Sequence, residues 1–426
     1  MQSHSEARLE SISKTSPEGG LPVTPEEQAS RNALTAEREP SRMVKSIVFL
    51  GSFGPPSLTV AQSCRAMGIS VYLLAPSKGR KQSWLQRSCF SGFRRLDSAA
   101  IGTPQGLDAV LAYVSEMGAD ALTTQSDNHC LWLARNAERF KGVCKLMVPS
   151  LHCLESVESK LRQIEAARDA GFSVLPTYVI RGLDDVAKIG SDQYPICLRP
   201  VVGDSVTPDF KVRVARSTKE LASIVGGISA FGGGIVAQPF LLLPNAILHC
   251  TSGEDGELLN CKAFFVDRKF EGVTLRIRPM PVPDGMIGKV AAFSRHFRLS
   301  GPYHFEFLYS PGTGEWHYLE VNVRFGGTTK KVTWFGVDEP ANCLCAYGLT
   351  GPRPPRKYTT MRSAVVSKRG VLKHLLTMLR RGPELWDFPR KPRLAEAALS
   401  IGDLLLAKDS VIDWRDLRGS VAFHSQ

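Results

Sequence analysis

No stretch of this chain approaches the ~18 consecutive apolar residues that a membrane span needs. Its opening, MQSHSEARLESISK, has neither the basic start nor the apolar centre of a secretory leader, so a cytoplasmic protein without membrane association is expected. The ten cysteines are scattered without a C-x-x-C pair, and only Cys343 and Cys345 lie close together. That spacing argues against a zinc site or a disulfide framework and leaves reduced thiols. The Gly-rich turn Gly51-Ser52-Phe53-Gly54-Pro55-Pro56 is not G-x-G-x-x-G, and no acid ends the following strand to hold a ribose, so this turn reads as scaffold. A nucleic-acid module is missing too, although the net charge is +12 and residues 351–426 hold 15 Lys or Arg against 7 Asp or Glu. A solvated basic surface, with no specific nucleic acid bound, is the expectation for that segment.

What the chain does contain is enough apolar material for two or three domains: 426 residues, 43% hydrophobic and 22% charged. Residues 1–42 are rich in Ser, Glu, Pro and Arg and poor in aromatics, and are expected to be disordered. Order should begin with the strand Val44–Leu50, followed by a helix over Ser57–Met67 and a strand over Ser70–Ala75. The alternation continues through Ala119–Thr124, a helix near Asn128–Arg139 and Cys144–Val148, which predicts a doubly wound parallel sheet over residues 43–150. Asp127 and Asn128 fall just past a strand end, where open α/β sheets bind ligands and where helix caps also sit. A single helix is predicted over Leu154–Ala170, stopped by Gly171.

The most informative stretch is Gly301–Gly327, which reads as a β-hairpin turning at Pro311-Gly312-Thr313-Gly314. A loop centred on Thr313 pairs Leu308 with Tyr318, Glu306 with Glu320 and His304 with Asn322. Alternation puts His304, Glu306, Glu320, Asn322 and Arg324 on one face, and Phe305, Phe307, Leu319, Val321 and Val323 on the other. A solvated polar face would make the two glutamates surface acids. Opposed like charges roughly 5 Å apart, however, destabilise a ladder unless one is protonated or a cation lies between them, and Asn322 adds a hard oxygen. The pattern therefore outlines a divalent-metal site.

E-x-N-x-R on a strand, preceded by a strand carrying one acid, resembles the metal-binding end of the ATP-grasp superfamily, in the carboxylate-amine ligase type with an N-terminal pre-ATP-grasp domain. The resemblance implies Mg²⁺, as two ions and replaceable by Mn²⁺, held by Glu306, Glu320 and Asn322 against ATP phosphates. It places Arg324 at the transferred phosphoryl group or the substrate. Lys160, ahead of Gly171-Phe172-Ser173-Val174-Leu175-Pro176-Thr177, is similar to the family's phosphate-reaching lysine. Pro195–Pro200 resembles its P-x-x-x-K-P strand, with Arg199 in place of lysine, followed by a small-residue loop containing Ser205. Gln238, Pro239, Phe240 and Leu241 resemble the hinge whose backbone holds adenine, while Leu243-Pro244-Asn245 stands where the family has a ribose-binding acid. Strands over Ala246–Thr251, Leu258–Val266 and Val273–Pro279 carry Lys262, Arg268, Arg276 and Arg278, of which Lys262 and Arg276 are expected at the phosphoryl group.

The implied fold is α/β: a doubly wound parallel-sheet domain, then an ATP-grasp fold of two α+β subdomains over 151–240 and 241–350, then a basic extension over 351–426 that opens with a Pro-rich linker and holds helices near Val371–Leu379 and Ala395–Leu406. The implied reaction joins a small-molecule carboxylate to an amine through an acyl phosphate, with release of ADP and phosphate. A phosphotransferase or carboxylase-like enzyme on the same fold, and a non-catalytic nucleotide-binding protein, are the alternatives. The oligomeric state is open, a homodimer included.

Overall fold

The computed structural model describes residues 44–77, 82–351, 364–381 and 391–424. The expectations for residues 1–42 and for the linker past Gly351 lie outside the described residues.

The first sheet is parallel and five-stranded, in the order β3-β2-β1-β4-β5, from β1 (Ser46–Leu50), β2 (Ser70–Ser77), β3 (Gly92–Asp97), β4 (Ala121–Thr124) and β5 (Lys145–Leu146). All of β1 and β4 is buried, as expected of strands covered on both faces. Helix α1 (Pro55–Ala66) begins with prolines that its unpaired first turn tolerates, and Gly54 N–H donates to the Ser57 hydroxyl, closing that turn. Helices α2 (Pro104–Glu116) and α3 (Asp127–Arg135) complete the layers.

The chain then forms α4 (Leu151–Glu158) and α5 (Lys160–Asp169) instead of one helix. Ser159 breaks the run: it is extended, and its hydroxyl accepts from the Arg162 N–H as the N-cap of α5. A local side-chain acceptor competes with helix continuation. Lys160 is thereby the first residue of α5, and its N–H donates to the carbonyl of Val201, just past the strand that ends at Pro200. Gly171 ends α5 with a positive φ, as expected.

A four-stranded antiparallel sheet follows, in the order β6-β9-β7-β8, from β6 (Tyr178–Ile180), β7 (Ile196–Pro200), β8 (Arg213–Ala215) and β9 (Ile235–Pro239), with α6 (Thr218–Gly226) against it. The third sheet has seven strands in the order β14-β13-β10-β11-β12-β15-β16. These are β10 (Asn245–Ser252), β11 (Leu258–Phe270), β12 (Val273–Met280), β13 (Gly301–Tyr309), β14 (Trp316–Asn322), β15 (Val365–Val366) and β16 (Lys408–Asp409). Helix α7 (Met286–Phe297) covers one face of this sheet, where Phe172, Phe293, Phe305, Phe307 and Tyr318 form one aromatic cluster with centroids 5.0–6.3 Å apart. Helix α8 (Glu339–Ala346) packs between this sheet and α1. Beyond it, α9 (Lys368–Arg381), α10 (Arg393–Leu406) and α11 (Leu417–His424) accompany β15 and β16, which extend the third sheet beside β12.

The hairpin register is as expected at its open end and shifted at its closed end. Glu306 opposes Glu320 and His304 opposes Asn322, but a bulge between Glu306 and Phe307 sets Phe307 against Tyr318 and Leu308 against His317. The expected Leu308–Tyr318 pair is therefore corrected. The extra residue is Leu319, and the bulge turns Tyr318 into the aromatic core while moving Leu319 off it.

Candidate active site

The face of β13 and β14 that turns away from the aromatic core carries the two opposed glutamates, each retaining 28% of its side-chain surface. Burial pushes the Glu306 carboxyl up, the charge of Glu320 pushes it further, and the result is about 7. Burial also opposes ionisation of Glu320, but Lys160 and Arg199, aided by Asn322, overcome it and bring that carboxyl down to about 2. Cations hold one acid ionised, and burial beside that charge favours the protonated form of the other, which is how a ladder tolerates directly opposed carboxylates.

Three elements meet at Glu320. Lys160 Nζ, at the start of α5, lies 3.4 Å from Glu320 Oε2. Arg199 of β7 lies 3.8 Å from the same carboxylate, donates to Gln238 Oε1 at 2.9 Å and also reaches the Leu319 carbonyl at 3.4 Å. The bulge residue thus turns its side chain to a cavity and its carbonyl to the guanidinium. Gln238 is held in turn by Thr177, to which its amide donates at 3.0 Å.

Beside these groups is a cavity of about 530 Å³ between the second and third sheets, within the usual range for small-molecule sites. Arg199, Gln238, Pro239, Phe240 and Leu241 line it, as do Leu308 and Leu319. Phe240 N–H donates to the Pro195 carbonyl, fixing the crossing from β9 to β10. Sequence reasoning missed Asn245, Lys269 and Glu271, which also line the cavity. Asn245 donates to Glu306 Oε2 at 3.3 Å and accepts from Lys269 Nζ at 2.6 Å. The strand read over Leu258–Val266 continues to Phe270, and register shifts past Val266 hid the alternation that would have shown Lys269.

Arg324 continues the acidic face, and its Nε donates at 2.7 Å to Asp127, the first residue of α3 in the parallel-sheet layer. The two candidate residues therefore meet, joining the end of β14 to the C-terminal edge of the first sheet. His304, buried between His249 and the Gly326 loop, is held neutral by burial and by the neighbouring His249. A Cβ on Gly326 would stand 2.6 Å from the His304 ring, so only glycine lets the loop close there. His249 bonds Glu339 at 2.6 Å and Thr328 at 2.9 Å, tying that loop to α8.

Three expected residues are not gathered here. Ile277 opposes Val266, which opposes Asn245 on the acidic face; Arg276, one position along, is on the other face and pairs with Asp403 at 3.0 Å and Asp267 at 3.3 Å. Its expected place at the phosphoryl group is corrected on that ground. Lys262 opposes His249 and shares the acidic face, but its side chain is exposed. The Ser205 hydroxyl donates to the Val202 carbonyl within its own loop.

Among the described residues no three His, Cys, Asp or Glu side chains converge as a complete metal cage. Two carboxylates, one of which burial and its neighbour make easier to protonate, plus the Asn322 amide are instead the partial donor set that suits Mg²⁺ completed by phosphate oxygens and water.

No protein-family model matches the chain, and no curated protein matches its sequence. Solved structures do. The biotin carboxylase domain of Hydrogenobacter thermophilus 2-oxoglutarate carboxylase, a dimer with MgADP, ADP and bicarbonate, superposes with a TM-score of 0.59 at 15% identity over 76% of this chain and 74% of that one. An ADP complex of N5-carboxyaminoimidazole ribonucleotide synthetase gives 0.60 at 12% identity, covering 84% and 97%. The L-amino acid ligase of Bacillus licheniformis gives 0.54 at 17% identity, covering 70% and 73%. At such identities the likeness is one of fold.

Proposed function

We propose that this chain, which has the ATP-grasp fold, is an ATP- and Mg²⁺-dependent ligase that joins a small-molecule carboxylate to an amine through an acyl phosphate. The observation that carries the reading is the opposed pair Glu306 and Glu320 with Asn322, set beside a cavity between two sheets and approached by Lys160 and Arg199. The solved structures of this fold in complex with ADP or MgADP support the choice of nucleotide.

In this reading the cavity lined by Gln238–Leu241 takes the adenine, and Glu271 at its mouth supplies the hydroxyl acceptor absent after the hinge. Lys160 and Arg199, now spent on Glu320, turn to the nucleotide phosphates, which leaves both carboxylates anionic for the cation. Bound there, Mg²⁺ neutralises charge on the phosphoryl oxygens. Glu306 must release its proton first. Arg324, held by Asp127, orients the acceptor carboxylate for attack on the γ-phosphate, beside the 326–329 loop that His249 and His304 hold in place. The amine then displaces phosphate from the acyl carbon.

The test is a screen of pools of carboxylates and amines for phosphate release from ATP, with and without Mg²⁺. Release that needs Mg²⁺ and both co-substrates supports the ligase. Release needing only one acceptor, with a phosphorylated product, supports a phosphotransferase instead. ATP binding without turnover in any pool supports a non-catalytic nucleotide-binding protein.

A further inference from the structure

Helix α10 is folded inside out. Its buried side is Glu396, Ser400 and Asp403, spaced as one helical face, and all three meet the buried Arg268 of β11: Ser400 at 2.9 Å, Asp403 at 2.5 Å, and Glu396, which also bonds His374 of α9. A buried guanidinium must be matched by carboxylates, so the ion network dictates which side of α10 faces inward. The apolar side is left outside: Leu394, Ile401, Leu405 and Leu406 are 86%, 49%, 74% and 89% exposed. Helix α9 buries Val371, His374 and Met378 in the ordinary way but still leaves Leu372, Leu376 and Leu379 exposed along another face. Single exposed leucines need no explanation, but rows of them on two packed helices do.

The exposed charges that the two helices carry at these rows are Arg369, Lys373 and Arg380 on α9 and Lys391 and Arg393 at the start of α10, all positive, with Lys373 alone paired to an outside acid, Glu271. The acids of the two helices, Glu396 and Asp403, are the buried partners of Arg268. A second copy of the chain across a twofold axis would bring these cations onto one another. An anionic lipid surface satisfies both features together, taking leucines at the headgroup boundary and cations against phosphate and carboxylate. We propose that the α9–α10 face is a peripheral docking surface for anionic lipid bilayers. Arg278 and Lys391, which with Leu399 and Leu406 line an open groove between α10 and β12, stand where a headgroup would meet this face. No helix among the described residues is long and apolar enough to cross a membrane, so the contact is interfacial. Lys373 also bonds Glu271, which lines the cavity between the second and third sheets, at 2.8 Å.

The test is flotation of the full chain with vesicles of phosphatidylcholine alone and of phosphatidylcholine with about one third phosphatidylserine, at low and high salt. Binding to the serine-lipid vesicles about tenfold or more tighter than to the neutral ones, weakened by salt, is expected. The double variant Leu405→Glu/Leu406→Glu should lose about tenfold in binding while melting and turning over ATP as the parent does. Leu376→Glu, on the other helix, should lose binding likewise and guards against a folding defect of α10. Equal binding to both vesicles, or none, overturns the proposal. So does a concentration-dependent dimer that the leucine variants dissolve, because the face would then belong to a second copy. Neither outcome bears on ATP turnover, so this proposal and the ligase reading stand or fall separately.

Discussion

The two opposed glutamates should respond to neutralisation with opposite signs, and the reason lies in their partners. Burial and the Glu320 charge push the Glu306 carboxyl up to about 7 from its ordinary 4.5. Between those values the folded state keeps a proton that the unfolded state has lost, so metal-free protein loses stability as pH rises through that window. At ~1.4 kcal/mol per unit the full effect is about 1–3 kcal/mol, the lower figures allowing for the residual exposure of the group and its coupling to Glu320. Glu306→Gln removes it. The metal-free variant should therefore melt a few degrees above the parent near pH 8 and about level with it near pH 5. Glu320 is the reverse case: its carboxyl lies at about 2 because Lys160 and Arg199 hold it ionised, so its stabilising share is present above roughly pH 4.5 and lost as pH falls toward 2. Glu320→Gln strands two cations and should lower the melting temperature near pH 8 by a similar few degrees. Both variants should lose Mg²⁺-dependent turnover. The assay is thermal unfolding at the two pH values with and without Mg²⁺ and ADP. Equal shifts of the same sign in both variants, or a Glu306→Gln shift independent of pH, would refute the electrostatic account.

Mg²⁺ affinity should fall as pH drops below about 7, because Glu306 must lose its proton to bind; calorimetry in buffers of different ionisation enthalpy should show proton release on binding. Arg324→Ala should cost about 10²–10³ in turnover and leave nucleotide affinity nearly unchanged, and Asp127→Ala should give a milder loss of the same kind, since Asp127 only positions the guanidinium. Equal loss of ATP affinity in Arg324→Ala would move that residue to the nucleotide. Gly326→Ala should retain the fold but lose turnover, because its Cβ meets the His304 ring at 2.6 Å and the loop must shift. Arg268→Ala removes the cation shared by the buried Glu396 and Asp403, leaving them only His374 and Arg276, and should cost about 3 kcal/mol of stability, read as a lower denaturation midpoint.

Much of this architecture was legible because it rests on local rules. Alternation along the hairpin and one turn were enough to oppose Glu306 and Glu320, since register counts outward from the turn on both strands. Counting fails at a bulge, so Leu319 was assigned to the core although it lines the cavity, and Lys269 was passed over beyond the shifts in β11. Arg276 was misplaced for another reason: the residue that claims it, Asp403, is far along the chain, and no spacing announces that pairing. The inverted helix α10 escaped notice likewise, since its periodicity is that of any amphipathic helix and only the buried Arg268 decides which side goes in. The Lys160 helix start could have been read from Ser159 as an N-cap, but a longer amphipathic pattern ran across it.

The claim that organises the rest is acyl-phosphate chemistry at the Glu306–Glu320 face, and the fate of a carboxylate oxygen tests it directly. With the carboxylate–amine pair that supports turnover, the carboxylate is labelled with heavy oxygen and the released phosphate is examined by mass spectrometry. Attack of the amine on an acyl phosphate breaks the bond between the carbonyl carbon and the bridging oxygen, so one labelled oxygen should leave with each phosphate as one amide forms. Unlabelled phosphate alongside amide, or label retained wholly in a phosphorylated acid, would contradict the account.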